Sequence, residues 1–285
     1  MSEQKTGSAP PRGRAKKLWK IGGLFVLGAL TLCLTTLWIR AELRLGERYD
    51  PPLPSIALDA RARARGEHLT QTYGCRHCHG VDLGGSVVED SAVMYITAPN
   101  LTPGSRTVAS YTPDDWARAL LYGVAPDRRP LLLMPSHHLR VLSDADLAAL
   151  VSYLSVAPPV TRELPQAELR LLGKLLVGAG ADLLPAEQID QTRARAPVHA
   201  APVAATREHG QYLTRACAGC HGQDLRGGPP VGPPGSPAPP PISPDVMRGW
   251  TKQQFVRALR EGKRRDGSPL DEMMPWKALR HLSDD

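Results

Sequence analysis

The chain has 285 residues, of which 42% are hydrophobic and 22% charged, a composition typical of a globular protein and unlike that of a disordered one. Its formal charge of +7 is concentrated at the amino end, where residues 1–20 contain six lysines and arginines and one glutamate. The rest of the chain therefore carries a net charge of only about +2, too little for a surface that follows nucleic-acid phosphates.

The first predicted element is a transmembrane helix. Residues 21–39 form an uncharged apolar stretch, long enough to cross a hydrocarbon layer of ~30 Å, and Trp19 and Trp38 lie near its ends, where interfacial aromatic residues are favoured. The sequence WIRAEL that follows lacks a good signal-peptidase site, and Cys33 follows leucine rather than the small residue of a lipoprotein acceptor. We expect an uncleaved anchor, with residues 1–20 as a basic cytoplasmic tail and the rest of the chain across the membrane.

The chain beyond the anchor contains an internal repeat. RGEHLTQTYGCRHCHGVDLGG (65–85) aligns with HGQYLTRACAGCHGQDLRGG (209–228), and YTPDDWARALLYG (111–123) aligns with WTKQQFVRALREG (250–262). Shorter matches keep the same order: PNLTP with PPISP, then Met-Pro and Leu-Ser-Asp in both copies. The repeat predicts one module at residues 40–157 and a second at 208–285, joined by an Ala- and Pro-rich connector at 158–207.

Both modules are predicted to be helical. In the first, Ser143 and Asp146 form a capping pattern, and apolar residues with helical spacing follow at Leu147, Leu150, Val151 and Leu154. A further helix is expected within the connector, at residues 166–177. Since no alternating strand pattern extends over a useful length, the predicted fold class is all-α.

Each copy of the repeat contains the motif Cys-x-x-Cys-His. Its residues are Cys75, Cys78 and His79 in the first copy and Cys217, Cys220 and His221 in the second. Thiols at positions i and i+3 share one helical face and can add to the vinyl groups of a haem, while the following histidine binds the iron. The chain is therefore predicted to hold two covalently bound haem c groups, in two tandem cytochrome c-type modules after one N-terminal transmembrane helix.

Two other interpretations of the cysteine pairs are weaker. One structural zinc could bind both pairs, but each pair lies in its own repeat with its own histidine. A thioredoxin-like redox site would require a βαβ context, which the sequence does not show.

The sixth ligands of the two irons are predicted to be Met134 and Met274. They lie 55 and 53 residues after their histidines, and proline follows each of them. A thioether ligand raises the reduction potential by favouring ferrous iron, and it closes the iron to small ligands. Met273 remains open as the alternative in the second copy, and His137 or His138 could replace the methionine of the first.

With these motifs the chain resembles the membrane-anchored dihaem cytochromes c of bacterial respiratory chains. The matching segments are CRHCHG, APNLTP, YTPDDW, LMP and LSDADLAALVSYL, and the resemblance covers residues 60–285. It implies a cytochrome c fold for each module, with His79 and His221 as proximal ligands and Met134 and Met274 as distal ligands. It also implies an electron carrier rather than an enzyme, periplasmic at the bacterial inner membrane, with a dehydrogenase, an oxidase or a soluble cytochrome as partner.

Two other functions remain open. A dihaem peroxidase also has two such motifs but needs an iron that lacks or loses its sixth ligand, which the matched Met-Pro pairs disfavour. An obligate subunit of a dehydrogenase or oxidase complex would have the same chemistry as a free carrier.

The second copy departs from the family pattern at its end. It stops at HLSDD, whereas the first copy continues into DLAALVSYL. We expect either a longer gene product or a second module that folds loosely around its haem.

Overall fold

A computed structural model describes residues 12–230 and 235–283, so that residues 1–11 of the predicted basic tail lie outside the described part. The first element is a 35-residue helix, α1 (Arg12–Gly46), and its segment Lys17–Gly46 is long and apolar enough to cross a membrane. The helix continues beyond the predicted 21–39 because the residues after Ile39 are mostly good helix formers.

The first module is built on short helices that enclose the main core. They are α2 (Arg63–Thr72), α3 (Cys75–Cys78), α4 (Pro113–Tyr122), α5 (Ser136–Leu139) and α6 (Asp144–Leu154), with a 3₁₀ turn at Ala60–Ala62. The predicted start of α6 is confirmed, since the Ser143 hydroxyl accepts a hydrogen bond of 2.9 Å from the Asp146 amide. The predicted apolar stripe of α6 is confirmed as well, because all four of its residues are at most 1% exposed.

A small sheet corrects the all-α prediction. Strands β1 (Ser86–Asp90), β2 (Met94–Ala98) and β3 (Glu168–Leu169) form an antiparallel sheet in the order β1-β2-β3. Its first two strands are rich in β-branched and aromatic residues, which favour extended structure. The sheet could not be recognised in the sequence because its strands are short and an irregularity between Val87 and Glu89 interrupts the register.

Helices α2 and α6 pack closely at a glycine. A Cβ added at Gly66 would overlap the backbone carbonyl of Ala149, so only glycine allows this approach. The equivalent glycine of the second module, Gly210, has no atom within 4 Å of its added Cβ. Within residues 208–230 and 235–283, no helix takes the place that α6 has in the first module.

This difference gives a matched pair of substitutions. Gly66→Ala is expected to destabilise the folded chain by about 1–3 kcal/mol, because backbone atoms must move to make room for the methyl group. Gly210→Ala should stabilise it by about 0.5–1 kcal/mol, because alanine in an exposed helix loses less backbone entropy than glycine. Chemical denaturation of the haem-loaded chain measures both values. Equal effects of the two substitutions would contradict the close helix contact.

The connector packs against the first module and against α1. The Asn100 side-chain amide donates hydrogen bonds to the carbonyls of Val160 and Arg162, at 2.6 and 3.1 Å. Helix α7 (Leu171–Gly178) follows β3 and lies against α1, and a 3₁₀ turn at Pro185–Gln188 comes after it. The helix predicted at 166–177 starts later than expected because Glu168–Leu169 pairs with β2 instead.

The second module repeats the local geometry of the first. Its helices are α8 (Arg207–His221), α9 (Pro244–Met247), α10 (Lys252–Glu261) and α11 (Trp276–Leu279). Capping boxes at Thr112 and Thr251 start the equivalent helices α4 and α10. Both helices end at a left-handed glycine, Gly123 with φ 67° and Gly262 with φ 66°. The sequence repeat is therefore also a repeat of backbone structure.

A buried tyrosine joins the two modules. The Tyr212 hydroxyl of α8 donates to the Asp146 carboxylate at 2.6 Å and accepts from the Ser143 amide at 2.9 Å, at the start of α6. Arg65 donates to both oxygens of the same carboxylate, at 2.9 and 3.1 Å. The second module is therefore hydrogen-bonded to a capped helix end of the first.

Tyr212→Phe is expected to loosen this contact. The substitution removes the acceptor of the buried Ser143 amide and leaves Arg65 as the donor to the Asp146 oxygen that Tyr212 had contacted. We expect it to lower the free energy of unfolding by about 1–3 kcal/mol. The rate of hydrogen exchange at the α8 amides should rise by the factor that corresponds to this loss of free energy. Tyr153→Phe is the control, because its hydroxyl accepts from Arg76 at 3.2 Å within the first module. Unchanged α8 exchange in the Tyr212 variant would show that the hydroxyl does not hold the modules together.

Candidate functional site

The first predicted site begins at a sharp turn between two helices. Gly74 has a φ of 73°, which separates α2 from the single turn of α3 and is strained for other residues. Cys75 and Cys78 lie on this turn, and the His79 amide closes it by donating to the Cys75 carbonyl at 2.8 Å. The turn places two thiols and the imidazole next to one another along the chain.

The histidine of this site is buried and held in one tautomer. His79 is only 6% exposed, and its Nδ1 lies 2.7 Å from the Pro99 carbonyl oxygen. Because a carbonyl only accepts, Nδ1 carries the proton and Nε2 keeps its lone pair for a metal. Burial lowers the pKa of His79, an effect that the carbonyl partly offsets, so that the imidazole is neutral as a ligand must be.

The carbonyl of Pro99 is a functional group that sequence reasoning did not identify. The sequence did point to this segment, because PNLTP in the first copy aligns with PPISP in the second, but it assigned no role to the segment. Asn100 holds the loop, because its side-chain oxygen accepts from both the amide and the hydroxyl of Thr102 at 2.9 and 2.8 Å. The motif therefore forms the support that orients the histidine.

The thiols of the first site are unpaired and protonated. All five cysteines of the chain are free. Burial raises the pKa of Cys75 to about 12 and also raises the pKa of Cys78. Both side chains therefore stay as neutral thiols at physiological pH.

The predicted distal methionine of the first module packs on the same core as the first cysteine. Met134 and Cys75 are both half-buried against the main cluster. The backbone before the methionine is unusual, since Leu133 has a φ of 57° and its amide donates to the Leu183 carbonyl at 3.1 Å. The connector thus supports the loop that carries Met134.

The second predicted site has the same histidine support as the first, but its cysteines lie on an unbroken helix instead of a separate turn. Cys217 and Cys220 lie in the last turns of α8, and Nδ1 of His221 lies 2.7 Å from the Pro240 carbonyl. His221 is 7% exposed. Met274 is half-buried, whereas Met273 is 49% exposed, a difference that favours Met274 as the residue facing the interior.

The two sites contact each other through reciprocal segments. The ring of His138, four residues after Met134, lies so close to Gly219 that an added Cβ there would overlap it. Gly219 stands between the two cysteines of the second motif. In the opposite direction Ala278, four residues after Met274, lies 3.7 Å from the Cβ position of Gly74, directly before the first cysteine. Each module thus places its methionine segment against the cysteine motif of the other.

The residues of these sites fit a covalently attached haem better than a zinc ion. Each offers two free thiols one helical turn apart and a buried imidazole whose Nε2 lone pair is available, with a methionine from a later segment. In residues 12–230 and 235–283, no group of three or more His, Cys, Asp or Glu side chains could hold a metal ion. A haem would supply the one-electron couple of its iron, and the protein residues would attach it and bind the iron.

Comparison with known proteins supports the cytochrome c class for the first module. Residues 61–154 match the family described as cytochrome c oxidase, cbb3-type, subunit III. Residues 61–154 are thus similar to a cytochrome c domain, and domains of that class bind haem c covalently and transfer electrons.

A curated relative of the chain is a nicotinate dehydrogenase subunit from Pseudomonas putida. It is 29% identical over 170 residues, which are 57% of this chain. The match spans only 14% of that protein's length, so the chain is similar to a small part of it.

Proposed function

We propose that the chain is a two-haem electron carrier, anchored in a bacterial inner membrane with its haem modules in the periplasm. It would relay single electrons from a respiratory dehydrogenase or a quinol-oxidising donor to an oxidase or a soluble cytochrome. Its haems would be attached through Cys75, Cys78, Cys217 and Cys220, with His79 and Met134 on the first iron and His221 and Met274 on the second.

The main observation behind this proposal is that a proline carbonyl contacts the motif histidine in both modules. After each cysteine motif, the histidine Nδ1 lies 2.7 Å from a proline carbonyl, that of Pro99 for His79 and that of Pro240 for His221. The carbonyl fixes the same tautomer in both modules and leaves Nε2 for iron. A histidine with only a packing role would not need the same partner at the same place in both copies.

The reciprocal contact between the modules supports exchange of electrons between the two haems. His138 against Gly219 and Ala278 against Gly74 bring together the segments that carry the proposed haem ligands. Each haem, held by its two cysteines, its histidine and its methionine, would supply a one-electron iron couple. No substrate bond is formed or broken, in keeping with a carrier rather than an enzyme.

A spectroscopic redox titration of the full chain, produced with haem maturation, tests the proposal. We expect two one-electron steps at high potential and the near-infrared charge-transfer band of methionine–iron ligation. A single step at strongly low potential, or a high-spin haem that binds peroxide, would contradict it and favour the peroxidase interpretation.

A second candidate is a carrier that works only within a dehydrogenase complex. The similarity to part of a nicotinate dehydrogenase subunit favours this candidate. Purification from gently solubilised membranes distinguishes the two. A stable, stoichiometric partner that contains a dehydrogenase cofactor would support the obligate complex, and isolation of the chain alone with both haems would support the free carrier.

A further inference from the structure

The connector helix α7 has an apolar outward face. Leu171, Leu172 and Leu176 are 64%, 49% and 41% exposed, although leucine is usually buried. The opposite face, with Gly173, Val177 and Gly178, is buried against the rest of the protein. An amphipathic helix normally turns its polar face outward, so the orientation of α7 needs an apolar neighbour.

The buried face of α7 is fixed against the end of the membrane helix. A Cβ added at Gly178 would overlap the carbonyl of Leu37, which shows that the two backbones touch. The Lys174 amine lies 2.6 Å from the Glu42 carboxylate and 4.4 Å from the centre of the Trp38 ring. Leu37 and Trp38 lie at the end of the predicted span, so α7 lies at the level of the membrane surface.

Further apolar side chains on α1 extend the exposed face of α7. Ile39 and Leu43, which flank the outer end of the span, are 52% and 68% exposed. These two residues and the three exposed leucines of α7 therefore lie on two helices that contact each other at Leu37, Trp38 and Glu42, beside the predicted span. Helices of this kind rest in the boundary between headgroups and acyl chains.

Rigid contacts also connect α7 to the first haem module. Leu169 of β3, just before the helix, is 5% exposed and pairs with Met94 of β2. A Cβ added at Gly173 would overlap the Val93 carbonyl between β1 and β2. If α7 were bound to a surface, the orientation of the first module relative to that surface would therefore also be fixed.

We infer that α7 is an interfacial membrane helix, which inserts Leu171, Leu172 and Leu176 into the outer leaflet of the same phospholipid bilayer that α1 spans. The inference rests on the anchor in the proposed function but not on the number of haems or on electron transfer. Two attachments, α1 and α7, set the orientation of the first module at the membrane, whereas α1 alone would leave it free to rotate. The haem edges would then face the aqueous phase in a constant direction.

Cysteine accessibility tests this inference in the full, haem-loaded chain. Leu172→Cys and Leu176→Cys are made in a Cys33→Ala background, and Val156→Cys serves as the control. Val156, two residues after the end of α6, is 48% exposed, which matches the 49% of Leu172. In nanodiscs of phosphatidylethanolamine and phosphatidylglycerol with one chain each, a water-soluble maleimide should react at least tenfold more slowly at positions 172 and 176 than at 156.

A lipid crosslink identifies what covers the helix. Phospholipids with a diazirine in the acyl chain should label the α7 peptide on illumination and leave the end of α6 unlabelled. Equal maleimide rates at positions 172 and 156, or slow rates without a lipid crosslink, would overturn the inference. Carbonate extraction of the wild-type chain tests the anchor separately, because loss of the chain from membranes would contradict the proposed anchor itself.

Discussion

Purified after haem maturation, the wild-type chain is expected to carry two covalently bound haems, and the double variant Cys217→Ala/Cys220→Ala only one. Without its thiols the second module cannot form thioether bonds, and the haem is lost on denaturation. Mass spectrometry of the denatured protein and the pyridine haemochrome absorbance per chain both measure this loss.

Two further variants complete the test of haem number. Cys75→Ala/Cys78→Ala should also retain one haem, that of the second module. Cys33→Ala should retain both, because this residue lies in α1, far along the chain from either motif. A wild-type chain with one haem would contradict the two-centre carrier and favour residues 61–154, which match the cytochrome c family model, as the haem site.

Replacement of the proposed methionine ligands is expected to have the largest effect on the reduction potentials. Met134→His would give the first iron an imidazole in place of the proposed thioether, and an imidazole stabilises ferric iron better than a thioether does. The potential of that haem should fall by a few tenths of a volt, within the ~0.8 V range that axial ligands control. A spectroscopic redox titration would show one reduction step at a lower potential and the other step at its wild-type potential. The near-infrared methionine band should lose about half its intensity.

The second module provides a comparison between adjacent residues. Met274→His should displace the other step, whereas Met273→Leu should leave both steps in place, since Met273 is 49% exposed and Met274 half-buried. A displaced step in the Met273 variant alone would move the ligand to that residue. If neither variant altered a step, the second iron would have a different sixth ligand.

The exposed leucines of α7 could not be predicted from the composition of the sequence. Apart from the predicted anchor, the sequence offered no apolar run that looked exposed, and residues 158–207 had the composition of a simple connector. Helical periodicity identified a helix there, but it could not show which face is covered. That depends on contacts with Leu37 and Val93, which are distant in sequence.

The small sheet was missed for a related reason. Its strands have five, five and two residues, and β3 comes from the connector, about 70 residues after β2. A two-residue strand has no periodicity of its own. Its extended form depends on pairing with Met94 and Tyr95 of β2.

The sequence by itself determined the features that are local or repeated. The cysteine and histidine spacing, the start and apolar stripe of α6, the apolar span and the repeat can all be read from neighbouring residues, because helix geometry and covalent attachment act over a few positions. Tertiary structure alone decided the partners of these residues. It brought Pro99 to His79, Tyr212 to Asp146 and His138 to Gly219, since such contacts depend on how separate elements pack.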